Sequence, residues 1–448
     1  ITAAGELAFD TETTSLSPWA GKLVGVSLSI KLGEAYFISA VSSVTRGVAW
    51  KIFLKLLADP SVVKFGHNIK YDTEVLMRAD IMVNGLSFDT LIAAYLLRSG
   101  ERGLDLKSLA FQEFGVQMTN IEELIGKGKD QITMDKVPLK QVVPYACADA
   151  DYTLQLKHKL EPELKKADLW KLFTEIEMPL IPVLTRMEQA GIKVDTDYLD
   201  IMAKDLRREI IGLEKKIYAL AGREFNINSP KQLKKVLFDE LNISPEGLKH
   251  TKTGISTAAS ELEKMRGLHP IIDEMFDYRE LTKLLSTYVD ALPELVNTET
   301  GRVHTNYNQA VAATGRLSSV DPNLQNIPVK GEWGKRVRRA FVAEPGFILL
   351  SVDYSQIELR VVAHLAHDKK MMDIFAHKQD IHTSTAAFVF DIDPKNVTPE
   401  QRRSAKEVNF GVLYGMGAWG LAERTGLTRA EASDFIDKYF KTFSGVAK

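Results

Sequence analysis

One cysteine in 448 residues, Cys147, rules out a disulfide framework and a cysteine-rich zinc site, and it suits a reducing interior. No apolar run is long enough to span a bilayer, and the N-terminus lacks a charged-then-apolar leader pattern. No membrane partner is expected. An excess of either charge is also missing: the formal net charge is -2, so bulk electrostatics give no hint of a polyanionic partner. Internal repeats and low-complexity tracts are absent. The chain opens on Ile1 rather than Met and stops at Gly445-Val446-Ala447-Lys448 without a cap, which reads as a piece of a longer protein.

What is present is ordinary globular composition, in a chain too long for one core. Residues 1 to about 160 read as α/β. Glu6 to Asp10 is a strand, Lys22 to Ile30 alternates as a second, and Glu34 to Ile38 is a third, with Lys31-Leu32-Gly33 as a hairpin turn. Helical periods follow over 71–80, 88–98, 104–114 and 139–160. From Glu161 to Asn297 the pattern is nearly all helical, at 170–190, 197–221 and 271–292, interrupted by a lysine-rich excursion from Asn226 to Lys252. Residues 298–370 regain strand character at Arg302 to Asn308 and at 347–353, and the remainder is helical. Basic character is local: Lys330, Lys335, Arg336, Arg338 and Arg339 fall within ten residues that hold one acid, Glu332.

Asp10 and Glu12 lie two apart on the first strand, hence on one face, about 7 Å along the chain. An isolated D-x-E is more often a solvated strand face. Two further segments shift that balance. Phe65 to Asp72 puts Asp72 in the first turn of a helix after a short apolar strand, and Tyr145 and Asp149 stand four apart on a helix and share a side. Asp151 points elsewhere and reads as a surface residue. Hard carboxylate oxygens suit Mg²⁺ or Mn²⁺. Clustered acids without a metal repel and raise one another's pKa.

A second constellation begins at Thr398, which can cap a helix with Pro399 at its first position and Gln401 completing a capping box. Steps of four along that helix give Arg402, Lys406, Phe410 and Tyr414, a stripe that turns from cationic to aromatic. A triphosphate suits the first half, and a base or sugar stacks on the second. The bland alternative is a surface helix with solvated cations and buried rings. Upstream, Phe347 to Leu350 reads as an apolar strand that delivers Asp353 to a turn before a helix through Val361 and Leu365, a common way to hold a metal ion.

Together these segments carry a resemblance. Asp10, Glu12, Asp72, Tyr145 and Asp149, in this order, resemble the 3′→5′ exonucleases of the DnaQ-like class, which have a ribonuclease H-like fold. Ser351 to Arg360 and Gln401 to Gly415 resemble the palm and fingers signatures of the family A DNA polymerases, the DNA polymerase I type. The likeness covers essentially the whole chain. It implies an exonuclease domain over 1–160 and a partial right-hand polymerase domain over 161–448, divided into thumb (161–297), palm part (298–372) and fingers part (373–448).

By this resemblance Asp10, Glu12 and Asp149 hold one ion, Asp10 and Asp72 a second, and Tyr145 orients the attacking water. Asp353 holds metal in the polymerase site, with two ions per active site. Arg402, Lys406 and His382 approach the incoming triphosphate, beside Gln356. Phe410 and Tyr414 border the nascent pair, Phe410 implying discrimination against sugars lacking a 3′-hydroxyl. Glu358 crowds the 2′ position. Arg316, Asn323, Gln325 and Asn326 lie along the template–primer minor groove, while Lys330 and Arg336 hold backbone phosphate. The lysines of 231–252 look like a thumb tip gripping duplex, although solvated helix faces explain them nearly as well.

The implied partners are template–primer DNA, single-stranded 3′ ends and deoxynucleoside triphosphates. The implied setting is a monomer in the cytoplasm of a bacterial or phage-infected cell, or in an organelle. The family's second polymerase aspartate lies in a His-Asp-Glu segment that this sequence does not contain, so synthesis by these residues alone is doubtful. Two alternatives stand beside a proofreading polymerase. One is a 3′→5′ exonuclease whose polymerase part serves as a DNA-binding platform; the other is a binding scaffold with both activities lost.

Overall fold

A computed structural model of the chain describes residues 5–40, 47–251, 254–329 and 331–447, with the side chains of 250, 251 and 254 left aside. It divides into two compact units, Ile1–Ile348 and Leu349–Lys448.

The first unit opens with a sheet built from β1 (Glu6–Thr13), β2 (Leu23–Lys31) and β3 (Glu34–Ser39). These pair antiparallel, with Asp10 opposite Ser27 and Glu12 opposite Gly25. The turn expected at Lys31-Leu32-Gly33 is formed, with Gly33 at φ +76, a conformation that costs little without a Cβ. After α1 (Val48–Ala58), β4 (Val63–Gly66) joins β1 in parallel; α2 (Ile69–Arg78) and then β5 (Leu86–Asp89) follow, giving the order β3-β2-β1-β4-β5. The expected helices appear as α2, α3 (Thr90–Leu97), α4 (Leu106–Phe114) and, after a short α5 (Ile121–Ile125), the long α6 (Leu139–Lys166). Leu7, Phe9 and Phe65 of the strands pack with Leu154, Leu156 and Leu160 of α6 in one buried cluster. Because β1 is central, its Leu7-Ala8-Phe9 run is buried without alternation. Asp151 accepts a hydrogen bond from Gly33 N at 2.7 Å, so its role is to tie the hairpin to α6.

The helical region expected over 170–190 is α7 (Trp170–Leu172), a π turn at Phe173–Glu177 and α8 (Met178–Ala190). Two-residue β6 (Lys193–Val194) leads to α9 (Thr196–Ala221). Then come α10 (Pro230–Lys234), the small hairpin of β7 (His250–Thr251) and β8 (Gly254–Ile255), α11 (Ala259–Glu263), α12 (Ile271–Leu284) and α13 (Ala291–Glu294). Leu199, Leu206 and Leu213 of α9 meet Met275, Leu281 and Leu284 of α12 in a second core. Paired strands β9 (Val296–Asn297) with β10 (Arg302–Val303), and β11 (Asn306–Asn308) with β12 (Ser318–Val320), precede α14 (Gly331–Arg339) and β13 (Phe341–Val342), which pairs with β6.

A buried ionic group links α2 to α8 and β11. Lys70 Nζ donates to both Glu188 oxygens at 2.6 and 2.7 Å, and Tyr307 N donates to Glu188 Oε1 at 2.6 Å. Burial and the neighbouring Glu188 push Glu74 up to about 9, so Glu74 is protonated and can donate to that carboxylate.

The strand expected at Phe347–Leu350 is not formed, and this is a correction. Residues 349–354 have no regular structure, and Ile348, Leu350 and Val352 are more than four-fifths exposed. An apolar run becomes a strand only when a neighbouring backbone takes its hydrogen bonds, and none does so among the described residues. The second unit is otherwise helical: α15 (Ile357–Leu365), α16 (Lys369–Ala376), α17 (Ile381–Phe390), α18 (Pro399–Gly411), α19 (Ala418–Thr425) and α20 (Arg429–Thr442). Leu359, Ile374, Val408, Leu421, Phe435 and Tyr439 form its core. No described helix is long and apolar enough to cross a membrane.

Candidate active site

Asp10 and Glu12 project from β1, and α6 brings Asp149 to them; carboxylate oxygens of the three lie within 4.8 Å of one another. Among the described residues this is the one acidic, histidine or cysteine group with metal-binding geometry. Asp72 stands beside it on α2, with Oδ1 accepting from Thr11 N at 2.9 Å and Thr11 Oγ1 at 2.7 Å. The start of α2 is fixed by a residue that no local pattern singles out. Asp89, at the end of β5, accepts from Asn68 N, Ile69 N, Leu91 N and Ile92 N, holding α2 and α3 at once. Asn68 reaches that position in the left-handed region, φ 58.

Burial dominates the electrostatics of this group, with mutual repulsion of the acids added to it. Burial, then the charges of Asp72, Asp149 and Glu12, pushes Asp10 well above the carboxylate range. Burial, Asp149 and Asp72 push Glu12 up to about 8. Burial pushes Asp149 up to about 7, and also Asp72, against the two Thr11 hydrogen bonds. Glu12 Oε1 and Asp149 Oδ1 are buried with no hydrogen-bond partner. Buried acceptors left unsatisfied are rare and costly, and hard anionic oxygens gathered this way fit a divalent cation. The residues present therefore fit the metal the resemblance implies.

Tyr145 lies one turn before Asp149 on α6 and lines the same cavity of about 650 Å³. Burial and the charges of Asp149, Glu12 and Asp10 hold its phenol protonated. Leu16, Ile125, Ile132 and Met134 give the cavity an apolar wall, and Tyr71 contributes a hydroxyl bound to Thr13 Oγ1 at 2.7 Å. Lys107 of α4 was not anticipated either. Its ammonium lies 3.4 Å from the Tyr145 hydroxyl, and its charge opposes the rise at Asp10, Glu12 and Asp149. Only the spatial arrangement reveals it, since nothing in the local sequence separates Lys107 from a solvated helix lysine.

In the second unit Asp353 is exposed, within the irregular segment that precedes α15, and Gln356 starts that helix in the left-handed region at φ 55. The capping box at Thr398 and Gln401 is formed. Arg402 makes a two-pronged contact with Asp380, Nη2 to Oδ2 at 2.8 Å and Nε to Oδ1 at 3.2 Å. Against the effect of burial, Arg402 and the Thr383 backbone hold Asp380 down to about 2. Lys406 is exposed and Phe410 half-buried. His382 is buried, with Nδ1 2.9 Å from Asn409 Nδ2 and its ring 5.7 Å from that of Phe410. Burial lowers it to about 4, so it is neutral at pH 7. The Tyr414 hydroxyl donates to Glu358 Oε2 at 3.0 Å.

The remaining candidates lie in the first unit. Arg316 is exposed beside a turn whose carbonyls are held by Tyr95 of α3 on Ala312 O at 2.6 Å and by Ser99, just beyond α3, on Ala313 O at 3.3 Å. Asn323 Oδ1 accepts from Gln325 N and Asn326 N, shaping a short exposed loop. Arg336 pairs with Asp205 at 2.7 Å and lies over Trp333 at 4.4 Å. Lys231, Lys234 and Lys235 line a basic hollow with Phe238. Lys330 and Lys252 lie outside the described residues.

An acid-lined cleft on a mixed α/β sheet, followed in sequence by a mostly helical region, is the arrangement of a metal-dependent enzyme domain joined to a second module. The sequence model of 3'-5' exonuclease matches residues 1–165, and that of DNA polymerase family A matches residues 196–448. The chain belongs to DNA polymerase family A. It is 48% identical over 455 residues to the DNA polymerase I of Chloroflexus aurantiacus, covering 99% of this chain and 48% of that one. It is 44% identical over 452 residues to the DNA polymerase I of Pseudomonas aeruginosa, covering 98% of this chain and 49% of that one. The chain thus spans about half the length of the curated relatives it matches. A solved structure, the POL domain of Pol1 from M. smegmatis in complex with DNA primer-template and dNTP, superposes with a TM-score of 0.84 at 32% identity, covering 98% of this chain and 73% of that one. Families of this kind generally use divalent metal ions, in keeping with the acidic group at Asp10, Glu12 and Asp149.

Proposed function

We propose that this chain removes nucleotides from single-stranded 3′ ends at the Asp10 cleft. That activity is the proofreading exonuclease of a template-directed DNA polymerase acting in replication and repair. One observation carries the reading: carboxylates distant in sequence converge within 4.8 Å, and two of their oxygens find no protein partner. Mg²⁺, or Mn²⁺ in its place, suits such oxygens. Asp10, Glu12 and Asp149 would hold one ion, and Asp10 with Asp72 a second. When bound, the ions supply a reactive water at neutral pH and charge stabilisation for the leaving 3′ oxygen.

The chain's own residues do the rest. Tyr145 keeps its phenol proton and orients the attacking water. The wall of Leu16, Ile125, Ile132 and Met134 receives the terminal base and limits competing water. Thr11 and Asp89 keep Asp72 aimed at the cleft.

For the longer protein we propose primer extension with deoxynucleoside triphosphates on a DNA template, with Asp353 as a metal ligand. Arg402, Lys406 and Gln356 would meet the nucleotide, Phe410 and Tyr414 would border the base pair, and Glu358 would exclude a 2′-hydroxyl. His382, being neutral, would contribute a hydrogen bond rather than charge. Arg316, Asn323, Gln325, Asn326, Lys330 and Arg336 would track the template–primer. The division into 1–160, 161–297, 298–372 and 373–448, a monomeric state and a cytoplasmic setting belong to the same proposal.

The test is Asp149→Ala in the 448-residue chain, assayed for Mg²⁺-dependent nucleotide release from a single-stranded oligonucleotide. Activity should be abolished; digestion at the wild-type rate would reject the assignment.

A further inference from the structure

We infer that Lys107 is a positioning residue for the exonuclease reaction: it fixes the polarity of the Tyr145 hydroxyl so that the phenol donates its proton into the carboxylate cleft. The inference deepens the exonuclease reading above and rests on it.

Lys107 sits in the first turn of α4, which Asp105 caps by accepting from Ser108 N at 3.0 Å. From there its ammonium lies 3.4 Å from the Tyr145 hydroxyl and 4.7 Å from the centroid of the same ring. An ammonium carries three protons and no acceptor, so the phenol oxygen must be the acceptor in this contact. With its oxygen engaged by Lys107, the phenol proton points away from the lysine. Tyr145 and Asp149 share one side of α6, and both line the cavity that holds Asp10 and Glu12. A hydroxyl without such a partner rotates and both donates and accepts. Orientation of a reacting water is lost with it.

The cation has a second effect in the same place. Half-buried Asp10 and buried Glu12 and Asp149 line this cavity, and the charge of Lys107 opposes their mutual repulsion. Its half-buried stem packs in the first turn of a short helix, so the ammonium is held near Tyr145 rather than swept through solvent.

The experiment uses the full chain, Mg²⁺ and a single-stranded oligonucleotide with a free 3′ end. Lys107→Met should lower kcat roughly ten- to a hundredfold, as expected for misoriented reacting groups, with KM changed less than about twofold. Lys107→Arg, also a donor without an acceptor, should recover most of the rate. In a Tyr145→Phe background Lys107→Met should change nothing further, because the hydroxyl it acts through is gone. A rise in KM at constant kcat, or an undiminished effect beside Phe at 145, would overturn the inference and make Lys107 a ligand of DNA phosphate.

One readout is independent of activity. The ¹³Cζ resonance of Tyr145 in the metal-free chain should move in Lys107→Met and stay put in Lys129→Met, a change at an exposed position. An unmoved resonance overturns the inference. A wild-type chain that is inactive overturns the exonuclease reading, whereas an active chain indifferent to Lys107→Met overturns this inference alone.

Discussion

Asp10 and Asp353 both follow an apolar run, yet they end in opposite surroundings. Asp10 lies in a strand with neighbours on both sides, beside three other acids, and its region is so enclosed that ionisation is opposed. Asp353 lies in a segment without regular structure, exposed, with apolar neighbours equally exposed. The difference is the sheet. Hydrogen-bonded neighbours turn Leu7-Ala8-Phe9 into a rigid rail that aims Asp10 and Glu12, while Phe347 to Leu350, equally apolar, pairs with no strand among the described residues. Strand carboxylates are held in a fixed direction when the backbone beneath them is paired.

That contrast can be broken most sharply by removing acids from each region in turn. Asp10→Ala should lower exonuclease turnover on the order of a thousandfold, since several kcal/mol of charge stabilisation go with the ion. Asp353→Ala should leave it unchanged in the same assay; a matching loss would mean that the two regions form one site.

A smaller but still large effect is expected in stability. Glu188→Ala leaves Lys70 buried without its partner, and denaturant unfolding should show a loss of about 3–5 kcal/mol. Arg402→Ala breaks an exposed pair in the other unit and should cost less than about 1 kcal/mol.

The acid cluster also predicts a pH dependence whose sign follows from its raised pKa values. Glu12, Asp72 and Asp149 sit at about 8, 7 and 7 in the fold, above their unfolded values. The metal-free protein binds more protons folded than unfolded, so its stability is full below about pH 4 for these groups and falls as pH rises through 7 to 8. Thermal melts in chelator should decline over that interval, Mg²⁺ should recover the loss, and Asp149→Asn should flatten the slope. The smallest effect belongs to the cap of α18: Thr398→Ala should cost about 1 kcal/mol, seen as a lower melting temperature of the helical unit.

The acidic cleft was largely legible because its carboxylates are placed by short-range rules. A two-residue spacing on β1 and a four-residue spacing on α6 put the right groups on one side of each element. Asp72 was visible as an acid in a first helical turn. Lys107 and Asp89 were not, because each reaches its partners through tertiary packing that leaves no local pattern. The four-residue β5 was missed for a similar reason: Leu-Ser-Phe-Asp is too short to show a period, and β4 decides its fate. The expected strand at 347–350 failed in the opposite way, since composition announced a strand and pairing withheld it.

The contact between Arg402 and Asp380 has a consequence for how an anion would arrive at α18. The guanidinium is already gripped by a carboxylate in a fork geometry, so a phosphate entering there would exchange one anion for another rather than strip a hydrated cation. Such a swap needs little rearrangement of the arginine, whose side chain is already ordered. It also leaves Asp380 with the hydrogen bond it already accepts from the Thr383 amide at 2.7 Å.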